Sequence, residues 1–458
     1  MGHPKGRSRI VGPTGREGSA MYLTHHPPTP AAETILRATR LVDAETGIIK
    51  MLYEAPLAPD AARIFGCAAL CSDQRAIGFP SESEISGSTS LHRDGAIVGA
   101  VGEAVERYSA AFTPDQRILR ATYATVAGDA IPPWSLTLYD EHQRAGAAQG
   151  YHSPGPDTPI GWVEGWSLTE ERAVLVPAFC VYQPYTSPWD EAPVVQMVTT
   201  GLACGASLEE AILAGLCEVV ERDAAMLMWL QSRRPPRVSL SADLPYGVAE
   251  ALARFGPNAR HVTLLDATSD LALPTYVAVW DGPLGALSGA VFASCAKPFA
   301  DAAAVGAITE LAQCLMWAAS LTDGDTLLPD PLTDHFDKIE RHVLWPLRAD
   351  TRSAWAFAVG SDRRTGFGPD AESPIRDVLV TLEEMVERVR AASLQVVAVD
   401  VTSPDIAEAG LHVARVVIPW AQPLFFGRHL HRISTRARDL AYPDRATGEI
   451  NLHPHPFP

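Results

Sequence analysis

The chain has 458 residues, 47% hydrophobic and 20% charged, and its 37 Lys and Arg against 54 Asp and Glu leave a formal net charge of −17. That length suffices for one large domain or two to three smaller ones, and the composition is globular rather than disordered. The acidic balance argues against nucleic acid or an anionic membrane surface as the main partner, and it would repel a nucleotide arriving without a divalent metal.

In chain order, residues 1–30 are rich in Gly, Pro and basic side chains and lack the apolar core of a signal peptide, which predicts a disordered N-terminal tail. Residues 31–458 read as one continuous domain. Helical periodicity predicts a first helix over 96–112, and β-rich runs predict strands over 162–168 and 173–182. A long helix over 208–230 follows, with Ser207 placed as its N-cap. Strands over 261–267 and 275–280, a helix over 299–320, an amphipathic helix over 378–392 and buried strands over 396–401 and 413–419 complete the pattern. Strands alternating with helices define an α/β, or mixed α+β, sheet protein.

No run of about 18 apolar residues occurs, so no membrane span is expected. The seven cysteines (Cys67, Cys71, Cys180, Cys204, Cys217, Cys295 and Cys314) are odd in number, scattered and without a Cys-x-x-Cys pair. They predict buried free thiols in a reducing cytoplasm rather than a zinc site.

Three of the helices carry the same small device. Gly99 precedes Glu103 and Glu106, Ala214 precedes Glu218 and Glu221, and Gly306 precedes Glu310 and Gln313; Arg107 and Arg222 follow at once in the first two copies. Residues three and four apart share a helix face, so each copy sets a carboxylate beside a second carboxylate or an amide. Like charges at that spacing repel, which predicts a cationic neighbour, and the small residue predicts room for something bulky close to the backbone. The unequal spacing of the copies suggests pseudo-repeated units, not a solenoid.

The chain contains its own control. Glu384, Glu387 and Arg388 repeat the string behind Val380 among further charges, and that helix reads as a solvated face. The other three copies lie in apolar flanks, where a carboxylate is costly unless paired or metal-bound. Either each Glu joins an ion network of its own, or the three copies share one polyanion–metal site; their number favours the second. Carboxylates are hard ligands suited to Mg²⁺, and the chemistry would then be phosphoryl transfer. No Gly-x-x-x-x-Gly-Lys-Ser/Thr loop or dinucleotide glycine spacing is present, so side chains and metal would have to hold a nucleotide.

These residues resemble the YcaO family. Gly102-Glu103-Ala-Val-Glu106-Arg107-Tyr108-Ser109 is similar to its first signature. Gly201-Leu-Ala-Cys-Gly205 leading into Glu210-Ala-Ile-Leu-Ala-Gly215-Leu-Cys-Glu218-Val-Val-Glu221-Arg222 is similar to its second, and Ala307-Ile-Thr-Glu310-Leu-Ala-Gln313 to its third. Trp162-Val-Glu-Gly165-Trp-Ser-Leu168 and Val399-Asp400-Val-Thr402 also fit, and the likeness covers residues 60–458. It implies a YcaO-type ATP-binding fold in which Glu103, Glu106, Glu218, Glu221 and Glu310 hold Mg²⁺ and the phosphates of ATP, supported by Arg107, Arg222 and Gln313. Gly99, Gly306 and Leu315 depart from the Ser, Arg and Arg that many members carry, and Ser86-Gly87-Ser88-Thr89 replaces a common Gly-Lys-Gly.

The chain closes on Pro454-His455-Pro456-Phe457-Pro458, a stiff extended segment. It resembles the Pro-x-Pro-x-Pro ending of the azoline-forming cyclodehydratases, the D proteins of thiazole/oxazole-modified peptide biosynthesis, an antibiotic-type pathway. By that likeness the Pro458 carboxylate is the catalytic base, whereas His453 and His455 read as solvated tail residues. The implied activity is ATP-dependent cyclodehydration of Cys, Ser or Thr in a ribosomally made precursor peptide. The implied partners are that peptide and a separate ubiquitin-activating-like protein that captures its leader, with the enzyme itself a homodimer. Two alternatives stand beside this: a YcaO enzyme forming a backbone thioamide or amidine, and a degenerate subunit that only binds partner or precursor.

Overall fold

The computed structural model describes residues 21–55, 62–77, 85–114, 116–240, 243–322, 327–367, 376–432 and 450–458. The strands among them are β1 (Ile49–Glu54), β2 (Phe65–Cys71), β3 (Ile85–Ser90), β4 (Leu119–Thr122), β5 (Pro159–Ser167), β6 (Arg172–Pro177) and β7 (Leu202–Gly205). Then come β8 (Arg237–Val238), β9 (Val262–Asp266), β10 (Thr275–Leu284), β11 (Leu287–Ala296), β12 (Arg364–Thr365), β13 (Val397–Asp400) and β14 (His412–Val417). The long helices are α1 (Arg93–Ser109), α2 (Leu208–Leu230), α3 (Ala300–Leu321) and α4 (Val378–Ala391).

Three sheets arise from these strands: β1-β2-β3; β11-β10-β9-β8-β12; and β4-β5-β13-β14-β7 with β6 on the other edge of β5. Neighbours are antiparallel except β8 and β12. The mixed α/β architecture expected from the alternating pattern is the one observed.

Each Glu-bearing helix packs on strands of two different sheets. α1 lies on β2 and β3 and also meets β7; α2 lies on β7 and β14 and reaches β10 and β11; α3 lies on β10 and β11 and touches β3. Their apolar faces explain this. Ile212, Leu216 and Val220 of α2 are fully or almost fully buried with Val416 of β14 and Leu382 and Val389 of α4. Ala304, Ala307, Ile308 and Leu311 of α3 are buried with Ala278, Val291 and Ala293 of the β10–β11 hairpin. The acidic faces are left to meet where the three helices cross between sheets.

α3 is long and apolar enough, by length and composition, to pass a test for crossing a membrane, although no such span is expected from the sequence. Its packing on two sheets, with Glu310 and Gln313 in its middle, makes it a core helix. Residues 1–20 of the expected loose tail lie outside the described residues. Residues 21–30 run against the start of α2, where Leu23 is buried and the Thr29 N–H donates to Glu210 at 2.6 Å. On α4, Glu384 pairs with Arg376 at 3.2 Å and Glu387 with Arg390 at 2.7 Å, all exposed, in keeping with a solvated face.

The small residues of the device have a different purpose from the one expected. A Cβ at Gly99 would collide with the Ser88 side chain of β3, and one at Gly306 with Cys295 Sγ of β11. The gaps are filled by neighbouring strands, so they let helix and sheet approach rather than leave room for a ligand. Overfilling such a contact costs about 1–3 kcal/mol. Gly306→Ala should therefore lower the unfolding free energy from urea titration by that amount, as a lower midpoint at unchanged slope, and adding Cys295→Ala should restore most of the loss.

Candidate functional site

The acidic faces are held from the strands. On α1, Glu103 accepts the Gly87 N–H of β3 at 2.9 Å, and Arg107 lies 3.5 Å from Glu103 and 3.9 Å from Glu106. On α3, Gln313 donates to the Gly87 carbonyl at 3.2 Å and accepts from Thr89 Oγ1 at 3.3 Å. One residue of β3 thus ties two of the helices together, through its amide to Glu103 and through its carbonyl to Gln313. On α2, Glu221 accepts the Ser294 hydroxyl at 2.9 Å and the Ala296 N–H at 3.2 Å, both from β11, with Arg222 at 3.9 Å. Among the described residues, Glu218 and Glu310 make neither a hydrogen bond nor an ion pair.

That arrangement leaves charge uncompensated. Burial pushes the Glu218 carboxyl up to about 7, with Glu221 adding repulsion while Arg222, Arg107 and Arg415 oppose it. Glu310 is pushed up to about 8 by burial and then by Glu221 and Glu218, against Arg222 and Lys297. Glu106 is raised well above the carboxylate range by burial, with Glu218 and Glu103 adding to it. Carboxylates from all three helices therefore lie within one another's field. The Glu221 side chain keeps 10% of its surface and that of Glu103 keeps 36%, so water can reach them.

Two of the opposing cations were not anticipated from sequence. Arg415 of β14 is 4% exposed and donates to four carbonyls, of Cys180, Thr199, Thr200 and Val198, at 2.6–2.9 Å. It is a fixed positive charge behind Glu106 and Glu218. Lys297 follows β11. Both are single charges in strand-like stretches, with no periodicity or motif to mark them.

The Pro-rich segment is part of the interior. The Asn451 N–H donates to the Leu230 carbonyl at 2.7 Å and Trp229 Nε1 to that of His453 at 2.9 Å. His342 Nδ1 lies 2.7 Å from the His455 carbonyl, and His455 Nε2 lies 2.5 Å from that of Phe425. Phe457 is fully buried, edge-on to Phe292 with ring centres 5.9 Å apart. The segment ends with Arg222 Nη1 donating to the Pro458 oxygen at 2.5 Å. The expectation of solvated histidines is corrected: His455 is fully buried and His453 half-buried, and burial pushes both below the usual imidazole range.

Among the described residues, no three His, Cys, Asp or Glu side chains are gathered as a ligand set for one ion. A Mg²⁺ here would be held by one or two carboxylates and would complete its shell with water and phosphate oxygens, which is its usual habit. The donor set suits it: hard oxygens with excess negative charge, beside Arg107 and Arg222 whose Nε groups lack hydrogen-bond partners among the described residues.

Sheet-held helices around a carboxylate–arginine centre define a protein built to bind a metal-complexed anion. Residues 88–422 match the YcaO cyclodehydratase family, described as ATP- and Mg²⁺-binding, and the chain belongs to that family. An uncharacterized protein of Methanothermobacter thermautotrophicus is 34% identical over 197 residues, 41% of this chain and 46% of that protein. Similar folds are found in a heterocyclase solved in complex with substrate and cofactor (TM-score 0.77, 23% identity, 96% of this chain and 59% of that one) and in YcaO from Methanopyrus kandleri bound with AMPPCP and Mg²⁺ (TM-score 0.61, 21% identity, 86% and 92%). The chain spans about half the length of the curated relative and less than two thirds of the heterocyclase.

The raised carboxyls make stability pH-dependent with a definite sign. Unfolded Glu titrates near about 4.3, so the folded state binds these protons more tightly. Their stabilising contribution is full below that value and is lost as pH rises through about 7 for Glu218 and about 8 for Glu310. Melting temperatures of the ligand-free protein should fall across this window, and Glu310→Gln should flatten the upper part of the decline.

Proposed function

We propose that the protein is an ATP-dependent peptide cyclodehydratase that converts Cys, Ser or Thr of a ribosomally made precursor into thiazolines or oxazolines. The observation that carries this reading is the buried Pro-rich segment, which delivers the Pro458 oxygen to Arg222 inside the carboxylate centre. Family membership and the heterocyclase-like fold support it.

Mg-ATP, when bound, supplies the phosphoryl group that makes an amide oxygen a leaving group. Glu103, Glu106, Glu218, Glu221 and Glu310 are assigned to holding Mg²⁺, and Arg107, Arg222 and Gln313 to fixing the nucleotide. In the substrate, a side-chain thiol or hydroxyl would release its proton to water as its sulfur or oxygen bonds to the preceding carbonyl carbon, and that carbonyl's oxygen would depart as phosphate. The amide proton lost on ring closure goes to the Pro458 carboxylate, which Arg222 orients. Neutral, buried His455 holds the segment in place rather than exchanging protons. The same reading includes a separate leader-binding partner, a homodimeric enzyme and a cytoplasmic location.

Mass spectrometry of a precursor incubated with the enzyme, its partner and Mg-ATP should show loss of one water per ring. Exchange of oxygen for sulfur, or no change, would overturn the assignment. Deleting 454–458 is a poor test of Pro458, because it also removes the buried Phe457 ring from the core. Appending residues after Pro458 moves the carboxylate away from Arg222 instead, and cyclisation should drop by about a hundredfold or more with Mg-ATP affinity retained. Ser294→Ala, which removes one of the two β11 hydrogen bonds on the Glu221 carboxylate, should lower kcat/KM for ATP about ten- to a hundredfold.

A further inference from the structure

We infer that Lys297 contacts the γ-phosphate of the bound nucleotide, an inference that rests on the reading just given.

Lys297 immediately follows Ala296, whose N–H is bound to the Glu221 carboxylate, and its own N–H is anchored on the Pro274 carbonyl at 3.2 Å. Side chains alternate along extended backbone, which puts Lys297 on the same side as Cys295. Cys295 Sγ fills the gap at Gly306, one helical turn before Glu310. The Lys297 backbone is thereby set next to the amide that holds Glu221 of α2 and on the side of the chain that meets α3, and the lysine charge acts on both Glu221 and Glu310.

The other cations of the centre each keep a protein partner alongside any nucleotide contact. Arg107 leans on Glu103 and Glu106, Arg222 holds the Pro458 oxygen beside Glu221, and Arg415 is buried on four carbonyls. Lys297 is exposed, and among the described residues no carboxylate lies within ion-pair distance of it. A mobile point charge with three donors on a flexible stem is suited to a phosphate oxygen. A lysine serving only to damp the repulsion between Glu221 and Glu310 would be indifferent to how many phosphates the ligand carries. A lysine on the γ-phosphate would separate ATP from ADP.

The test is calorimetric titration of the full chain, Lys297→Met and Lys297→Arg with Mg-ATP and Mg-ADP. Lys297→Met should weaken Mg-ATP about tenfold or more while changing Mg-ADP about twofold at most, and Lys297→Arg should keep the ratio within about threefold of wild type. Equal weakening of both nucleotides, or no change in either, would overturn the assignment and leave the ATP-dependent reading standing. Wild-type protein that bound no Mg-ATP would remove that reading, and this inference with it.

Discussion

Like charge in a confined space organises this protein. Carboxylates from three helices lie within one another's field, and burial together with that field raises the pKa of three of them, Glu106, Glu218 and Glu310. A fold seeking stability alone would not gather them. What makes the gathering tolerable is that each helix is pinned by strands that also supply compensation. The Gly87 and Ala296 amides serve Glu103 and Glu221, and the charges of Arg415 and Lys297 oppose the raised pKa of Glu106, Glu218 and Glu310. A metal-complexed polyanion is the complement such a centre lacks.

The apolar architecture follows from the same need. α2, α3 and α1 each touch two sheets, so none can move without disturbing both. Close approach at Gly99 and Gly306, with Ser88 and Cys295 taking up the space, sets the helices at the depth where their glutamates meet. Packing density here serves electrostatic placement.

Much of this was legible in the residues. The bounds of α2 and its Ser207 cap were read without error, because a 23-residue apolar helix behind a Ser carries strong local signals. The Glu pairs were legible because helical spacing is local, and the α4 control because its flanks are charged. The strands that hold the site were missed. Ile85-Ser-Gly-Ser-Thr-Ser90 and Leu287-Ser-Gly-Ala-Val-Phe-Ala-Ser-Cys-Ala296 are dominated by small and polar residues without clear alternation, so their strand character comes from pairing partners far along the chain. Arg415 and Lys297 escaped because each is a single charge that no periodicity or motif marks, although the strand that carries Arg415 was expected. The alternating prolines announced stiffness, but nothing local told that Phe457 and His455 would be fully buried.

The burial of residues 454–457 bears on how the molecule comes into being. Trp229, His342 and Phe292 close around that stretch, and Arg222 engages it. On the ribosome, then, the centre cannot be finished while position 458 is still in the exit tunnel, although Gly87 and Glu103 emerged long before. Contacts of such sequence separation form late and slowly. A chain released before these residues are made would leave Trp229, His342 and Phe292 without the partners that cover them.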